Sequence, residues 1–303
     1  MTVLETFGLG KRYRSGWALS DCTLAIPAGH IVALVGPNGA GKTTLLNCAV
    51  GLLRPSSGSV RVLGGLPAGS PGALERVAYV AQDAPLVGQL PTQEMITVAR
   101  CLNPGFDVQN ALRRLQSLEI PLRTRVAKLS GGQQAQLALT LALARHPELL
   151  ILDEPIARLD PVARHDFMTQ VVTAVAEDGL SVIFSSHVVS ELERVADYLL
   201  LLSRGRVALA GPIDEVLAEH ACLSGPADDV RSIANGFDVL DLAAGRRHAR
   251  ILVRGDLASG QAPAGWESDD VGLEELILAY LRRSPLPSGA GDFTGGASSW
   301  QAS

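Results

Sequence analysis

The 303-residue chain is 47% hydrophobic and 19% charged, a balance that can bury a sizeable core and excludes a disordered, collagen-like or highly charged tail protein. That length predicts one large domain and a smaller piece. A net charge of −5 at pH 7 argues against a protein whose main partner is the nucleic-acid backbone, which needs a concentrated basic face.

Along the chain, residues 2–35 mix short apolar alternations with turn signals such as Pro27-Ala28-Gly29, which predicts antiparallel strands joined by tight turns. Residues 30–35 (HIVALV) are a continuous β-rich apolar run, too short for a helix, and are expected to form a strand buried on both faces of a parallel sheet. Residues 149–152 (LLIL) and 180–184 (LSVIF) repeat that pattern behind helical stretches, so β and α elements should alternate. From 86 to about 128 such runs are missing. Helical periodicity through Val108, Leu112, Leu115 and Leu118 predicts instead a helical lobe, over about 86–145.

The composition changes after Cys222, where Ser224-Gly225-Pro226 reads as a break. Two alternating segments, 237–242 and 248–253, flank the turn Ala244-Gly245-Arg246, and 273–281 (LEELILAYL) is apolar at helical spacing. These predict a main domain over 1–222 and a small α+β appendage over 223–283. Its helix presents an apolar face that its own strands or a second subunit must cover. Residues 284–303, rich in Gly, Ser, Ala and Pro, read as a disordered tail. No stretch reaches the roughly 18 consecutive apolar residues of a spanning helix. Residues 1–5 lack the basic and apolar regions of a signal peptide, so a cytoplasmic chain is expected. The four cysteines, Cys22, Cys48, Cys101 and Cys222, form no C-x-x-C pair, so spacing encodes neither a zinc site nor a disulfide framework.

Gly36-Pro37-Asn38-Gly39-Ala40-Gly41-Lys42-Thr43 fits G-x-x-x-x-G-K-[ST]. It stands directly behind a predicted buried strand and ahead of a helical pattern opening at Thr44, the two contexts a phosphate loop needs. The glycines let backbone N–H groups turn around a polyphosphate, the helix start favours negative charge, and Lys42 places a cation on the β and γ phosphates. Thr43 offers its hydroxyl to Mg²⁺. Asp153 and Glu154 end the apolar run at 149–152, at the carboxyl edge where α/β sheets bind ligands. Beside a phosphate loop, Asp153 reads as a direct or indirect Mg²⁺ partner and Glu154 as the general base that orients the attacking water.

Leu129-Ser130-Gly131-Gly132-Gln133 supplies a second helix start bearing a hydroxyl and two glycines, another phosphate receptor. One nucleotide does not need two such loops from one chain. With the phosphate loop and the carboxylates at 153 and 154, this pentapeptide resembles the signature of the ABC (ATP-binding cassette) ATPases. The resemblance covers residues 1 to about 222. It implies an α/β P-loop NTPase cassette with an antiparallel β subdomain and a helical subdomain, followed here by the small α+β appendage. It also implies roles for further residues. Tyr13 matches the aromatic that stacks on adenine, with Trp17 as its competitor. Gln82 matches the Q-loop glutamine, which touches Mg²⁺ and the attacking water. Asp160 resembles the D-loop aspartate, and His187, in Ser185-Ser186-His187, the switch histidine that contacts the γ-phosphate. The sequence departs from the family where Gln134 and Gln136 replace a frequent basic residue, which leaves hydrolysis expected and puts the strength of the interface in doubt.

The function implied by the resemblance is ATP hydrolysis coupled to transport. Two cassettes, identical or related, would close head to tail on two ATP molecules. Each ATP would lie between one copy's phosphate loop and the other's signature helix, and the motion would drive a separate transmembrane permease from the cytoplasmic face of the cell membrane. Residues 102–107 and the helix at 272–276 are similar to bacterial ABC-2 type exporters, so export is expected. The competing reading is a soluble ABC ATPase acting on nucleic acid or ribosomes. Residues 36–129 are too few for the coiled coil or clamp insertion of such relatives, and the chain is acidic with one cassette, so no nucleic-acid partner is expected. An ordinary P-loop kinase or GTPase would have no use for residues 129–133.

Overall fold

The computed structural model describes residues 1–82, 86–157, 159–186, 189–255 and 262–283. The tail expected over 284–303 lies outside the described residues. Strands β1 (Thr2–Tyr13) and β2 (Gly16–Pro27) pair antiparallel and, with β4 (Ser57–Val62) and β5 (Leu66–Pro67), make a sheet in the order β2-β1-β4-β5. A second sheet holds β3 (Ile31–Val35), β6 (Val77–Val80), β7 (Leu149–Asp153), β8 (Ser181–Ser185), β9 (Tyr198–Ser203) and β10 (Arg206–Pro212) in the order β10-β9-β3-β8-β7-β6. All its pairings are parallel except that of β10 with β9.

The unbroken apolar runs have a simple cause: alternate residues of the parallel strands feed two cores. Val32, Leu34, Leu149, Ile151, Leu200 and Leu202 pack with Leu4, Leu9, Leu19 and Ile26 of the antiparallel sheet and with Leu45 and Leu46 of α1 (Lys42–Ala49). Ala33, Val35, Leu150, Leu152, Leu199 and Leu201 face Leu139 of α5 (Gly131–Leu143) and Phe167 of α6 (Pro161–Asp178). Each such side chain, fully buried, contributes about 1.5–3 kcal/mol, and the polar Asp153 and Ser185 stand at the carboxyl ends of β7 and β8.

Short α2 (Pro71–Arg76) leads into β6. Between β6 and β7, helices α3 (Thr92–Leu102), α4 (Val108–Ser117) and α5 share a third core with Met95, Ile96, Phe106, Leu115 and Leu137. The helical stripe read from sequence holds at Leu115, while Val108, Leu112 and Leu118 pack against the cluster from half-buried positions and the deepest companion is Ala111. Asp107 fixes the start of α4 by accepting the Asn110 N–H at 2.9 Å.

The break expected at Ser224-Gly225-Pro226 is a strand, the second half of β11 (His220–Pro226). Glycine is needed there because a Cβ at position 225 would fall 2.3 Å from the Trp266 ring; the small residue marks close packing and not a turn. The terminal sheet, β12-β13-β11-β14, therefore starts at His220, inside the range assigned to the main domain, and runs through β12 (Asp238–Ala244), β13 (His248–Arg254) and β14 (Glu267–Asp269), with short α9 (Val230–Ala234) between β11 and β12. One face buries Leu223, Ile251, Val253 and Trp266. On the other, Leu240 and Leu252 meet Leu273, Leu276, Ile277 and Tyr280 of α10 (Leu273–Arg282), in the same cluster as Leu192 of α7 (Val189–Leu192) and Ile213 and Val216 of α8 (Ile213–Ala218). The apolar face of α10 is covered by this chain itself.

Candidate active site

Strand register assembles the site. Ser185 at the end of β8 stands opposite Leu34 of β3 and Asp153 of β7. Three neighbouring parallel strands thus release the phosphate loop, Glu154 and Ser186 at one edge of the sheet. Two glycines let the loop lie against its surroundings. A Cβ at Gly36 would fall 2.4 Å from the Leu202 carbonyl oxygen; one at Gly41, where φ is +105°, would fall 2.5 Å from that of Ala18. Gly41 also precedes α1 without any side-chain cap, a helix start suited to an anion.

Residues 38–44 line a cavity of about 670 Å³ together with Ala18, Gln82 and Glu154. Lys42, 5% exposed, donates from Nζ to the carbonyl oxygens of Gly36 at 2.7 Å and Pro37 at 3.4 Å, and stands 3.6 Å from Glu154 Oε1. Asp153 is not among the lining residues. It is 1% exposed, with Oδ1 accepting from Ser185 Oγ at 2.7 Å and Oδ2 from the Tyr79 hydroxyl at 3.5 Å. Burial, and then the Asp153 charge, push the Tyr79 phenol well above its ordinary value, so it stays a donor. Glu154 takes a left-handed φ of +46°, a conformation that costs about 1–3 kcal/mol outside glycine.

The remaining sequence candidates lie elsewhere. Ser130 caps α5: its Oγ accepts the Gln133 N–H at 3.1 Å, while Gln133 Oε1 accepts the Ser130 N–H at 3.1 Å. Gly132 lets α5 approach α6, since a Cβ there would be 3.0 Å from Ala163 Cβ. Residues 130–133 do not line the cavity, and neither do Asp160, Tyr13 or Trp17. Asp160 Oδ1 caps α6 by accepting the N–H groups of Val162 and Ala163 at 3.0 Å. Tyr13 is 42% exposed beside Lys11, whereas the Trp17 ring lies over Gly10 and near Arg12. Of the two substituents for a basic residue, Gln134 bonds back to the Leu129 carbonyl and Gln136 is buried without a hydrogen-bond partner. His187 lies outside the described residues.

Sequence reasoning missed two side chains. Ser185 joins the Asp153 carboxylate to the Glu154 amide; its signal was a hydroxyl closing an apolar strand one edge over from the phosphate loop. Arg164 donates to the Leu159 carbonyl at 2.7 Å and pairs with Glu191 at 2.8 Å, tying the turn before α6 to α7. Nothing in its local sequence singles it out.

Among the described residues no group of three or more His, Cys, Asp or Glu could hold a metal. Mg²⁺ does not require one, because it keeps waters and shares substrate phosphates with one or two protein oxygens. Thr43 and Gln82, both lining the cavity, suit such a cation.

A buried lysine on a glycine loop at a helix start, facing a carboxylate from a parallel strand two places along the same sheet, defines a P-loop nucleotide-hydrolysing site. Comparison with known proteins narrows the class. The sequence pattern of the ABC transporter family matches residues 19–157. An ABC transporter ATP-binding protein of Nostoc sp. is 32% identical over 236 residues, 72% of this chain and 69% of its own. The thiamine import ATP-binding protein ThiQ of Salmonella typhimurium is 34% identical over 67% of this chain and 88% of its own, and the ABC transporter ATP-binding protein YtrB of Bacillus subtilis 28% identical over 91% and 97%. The solved ATP-binding subunit of an ABC transporter superposes with a TM-score of 0.63 at 29% identity, covering 71% of this chain and 92% of its own. A dimeric cassette in a post-hydrolysis state, bound to ADP and Pi, gives 0.62 at 25%, covering 69% and 98%. The chain belongs to the ABC transporter ATP-binding proteins and is an ABC ATPase. No helix among the described residues is long and apolar enough to cross a membrane.

Proposed function

We propose that this chain is the energy-coupling subunit of an exporter, working as a head-to-tail dimer with itself or a related cassette, on a separate transmembrane permease at the cytoplasmic face of the cell membrane. One observation carries the reading. The phosphate loop, Gln82 and Glu154 share a cavity that residues 130–133 do not line, so a signature helix from a second copy is free to complete it. Ser130 uses its oxygen to accept the Gln133 N–H, which leaves its own hydrogen for a phosphate oxygen. Hydrolysis removes the γ-phosphate those groups hold, so ATP favours the closed dimer and ADP releases it.

Within that site Lys42 and the loop N–H groups bind the β and γ phosphates, Tyr13 stacks on adenine, and Glu154 accepts the proton of a water oriented by Gln82. Asp160 and His187 act at the seam. Mg²⁺, held by Thr43 and Gln82 and, directly or indirectly, by Asp153, would neutralise charge on the phosphate oxygens. A groove of about 850 Å³, bordered by Leu52, Leu74, Tyr79, Leu102 and Arg145, suits the permease: Leu52, Leu74 and Leu102 are 67%, 52% and 74% exposed and offer apolar surface that a partner would cover. Tyr79 borders this groove and also bonds Asp153, a direct route from partner to site. Export rests on the likeness of residues 102–107 and 272–276 to ABC-2 type exporters.

The deciding experiment is Glu154→Gln. Light scattering with ATP and Mg²⁺ should show a stable dimer while turnover falls by about 10²–10⁴-fold, the usual worth of a general base. A persistent monomer that hydrolyses normally would overturn the assignment. Pull-down from membranes should recover a permease, and inverted vesicles carrying it should accumulate its solute on ATP addition. Recovery of RNA or ribosomes, or loss of solute from preloaded inverted vesicles, would refute the partner and the direction respectively.

A further inference from the structure

Ser185 is fully buried at the end of β8, and a hydroxyl in that position must find its partners in the protein. Both are in the carboxylate pair ending β7. The hydroxyl donates to Asp153 Oδ1 at 2.7 Å, and its oxygen accepts the Glu154 N–H at 2.9 Å. The same N–H also lies 3.2 Å from the Ser185 carbonyl oxygen, so Ser185 offers it two acceptors.

That amide belongs to a residue the chain does not hold comfortably. Glu154 has φ of +46°, where a side-chain-bearing residue is strained, and it precedes Pro155, which biases the residue before it towards extended conformations. Left to itself, the backbone would relax towards φ below zero and swing the carboxylate out of the cavity and off Lys42. The N–H is the atom that fixes this peptide plane, and Ser185 grips it.

We propose that the Ser185 hydroxyl is a positioning residue for hydrolysis: by bridging Asp153 Oδ1 and the Glu154 N–H it holds Glu154 in the left-handed conformation that aims its carboxylate at the attacking water. The assignment rests on Glu154 being the general base. It acts on the rate of the chemical step and not on nucleotide affinity, because Ser185 does not line the cavity.

Ser185→Ala removes the bridge without adding volume, and Ser185→Thr restores a hydroxyl. In Ser185→Ala, kcat should fall about 10-fold or more with KM for ATP within about twofold, the signature of an interaction made only in the transition state. Exchange of the Glu154 amide, followed by NMR without nucleotide, should accelerate by about the same factor as local protection is lost. Ser185→Thr should recover kcat to within about threefold of wild type. The proposal is overturned if Ser185→Ala keeps wild-type kcat, if its Glu154 amide exchanges at the wild-type rate, or if a folded Ser185→Thr stays as slow as Ser185→Ala. Should the threonine methyl prevent folding, the alanine variant's kcat and exchange decide alone. Glu154→Gln, run in parallel, separates the two claims: normal turnover there removes the base assignment, whereas loss of turnover there with none in Ser185→Ala removes only the role of Ser185.

Discussion

Lys42 Nζ stands 3.6 Å from Glu154 Oε1, in a pair whose side chains are only 6% and 14% exposed. The cation comes from the loop after β3 and the carboxylate from the end of β7, two strands apart in the sheet. They meet because β8, between them, sets both in register. A nucleotide must therefore exchange with the Gly36 and Pro37 carbonyls and with Glu154 for the same ammonium, which places the phosphate-binding charge and the base within one another's reach.

Lys42→Ala should remove measurable ATP affinity in calorimetry, a weakening of about 100-fold or more, which corresponds to about 2.7 kcal/mol. It also removes the cation 3.6 Å from Glu154 Oε1, so thermal unfolding should be followed beside binding. Unchanged ATP binding would dismiss the phosphate-loop assignment whatever the stability shows.

Much of this arrangement was legible in the sequence because its cause is local. The runs at 30–35, 149–152 and 180–184 are rich in apolar residues on both faces since they are covered on both faces, and Gly36 to Thr43 carry the spacing of a phosphate loop. What stayed hidden depends on partners distant in sequence. The role of Ser185 depends on Asp153, 32 residues away and opposite it in the sheet. Gly225 reads locally as a turn residue, while its small size answers to Trp266, 41 residues further on. Ala111, a better guide to the helical core than Leu112 or Leu118, has no pattern of its own because alanine fits any helix face.

Ser130 has two readings that one substitution separates. As the cap of α5 it accepts a backbone N–H, a task aspartate performs equally well. As a receptor for the γ-phosphate it must donate, and a carboxylate would repel the anion. Ser130→Asp should keep the melting temperature of the free chain, yet abolish ATP-driven dimerisation in a Glu154→Gln background. A dimer that forms as before would reduce Ser130 to a helix cap.

Gly225→Ala tests the packing of β11. With Trp266 2.3 Å from the new Cβ, the ring must shift within a fully formed core, at a cost of about 1–3 kcal/mol. Because Leu252 and Leu240 of the same sheet share a cluster with α10 and α8, the loss should appear in the unfolding of the whole chain and not as a separate early transition. A variant as stable as wild type would mean that the Trp266 side chain has room to move.

His220 makes the junction between the last sheet and the body of the chain sensitive to acid. It is 5% exposed. Nδ1–H donates to the Val216 carbonyl on α8 at 2.6 Å, and Nε2 accepts from the Tyr280 hydroxyl on α10 at 2.9 Å, the tautomer being set by these two partners. Burial, first of all, holds its pKa below the ordinary 6.5, and Arg254 pushes the same way, against the Val216 bond, Glu219 and Asp238. As pH drops below about 6.5 the unfolded chain therefore takes up a proton that the folded chain refuses, so stability falls with acid until the folded-state pKa is passed. Each unit of depression is worth about 1.4 kcal/mol at the low-pH limit. Denaturant melts at pH 7.5 and pH 5.5 should show wild type losing more stability than His220→Gln across that interval, while surface groups common to both cancel. Equal losses would show that His220 protonates in place, and that the contact from Val216 through the ring to Tyr280 survives the charge.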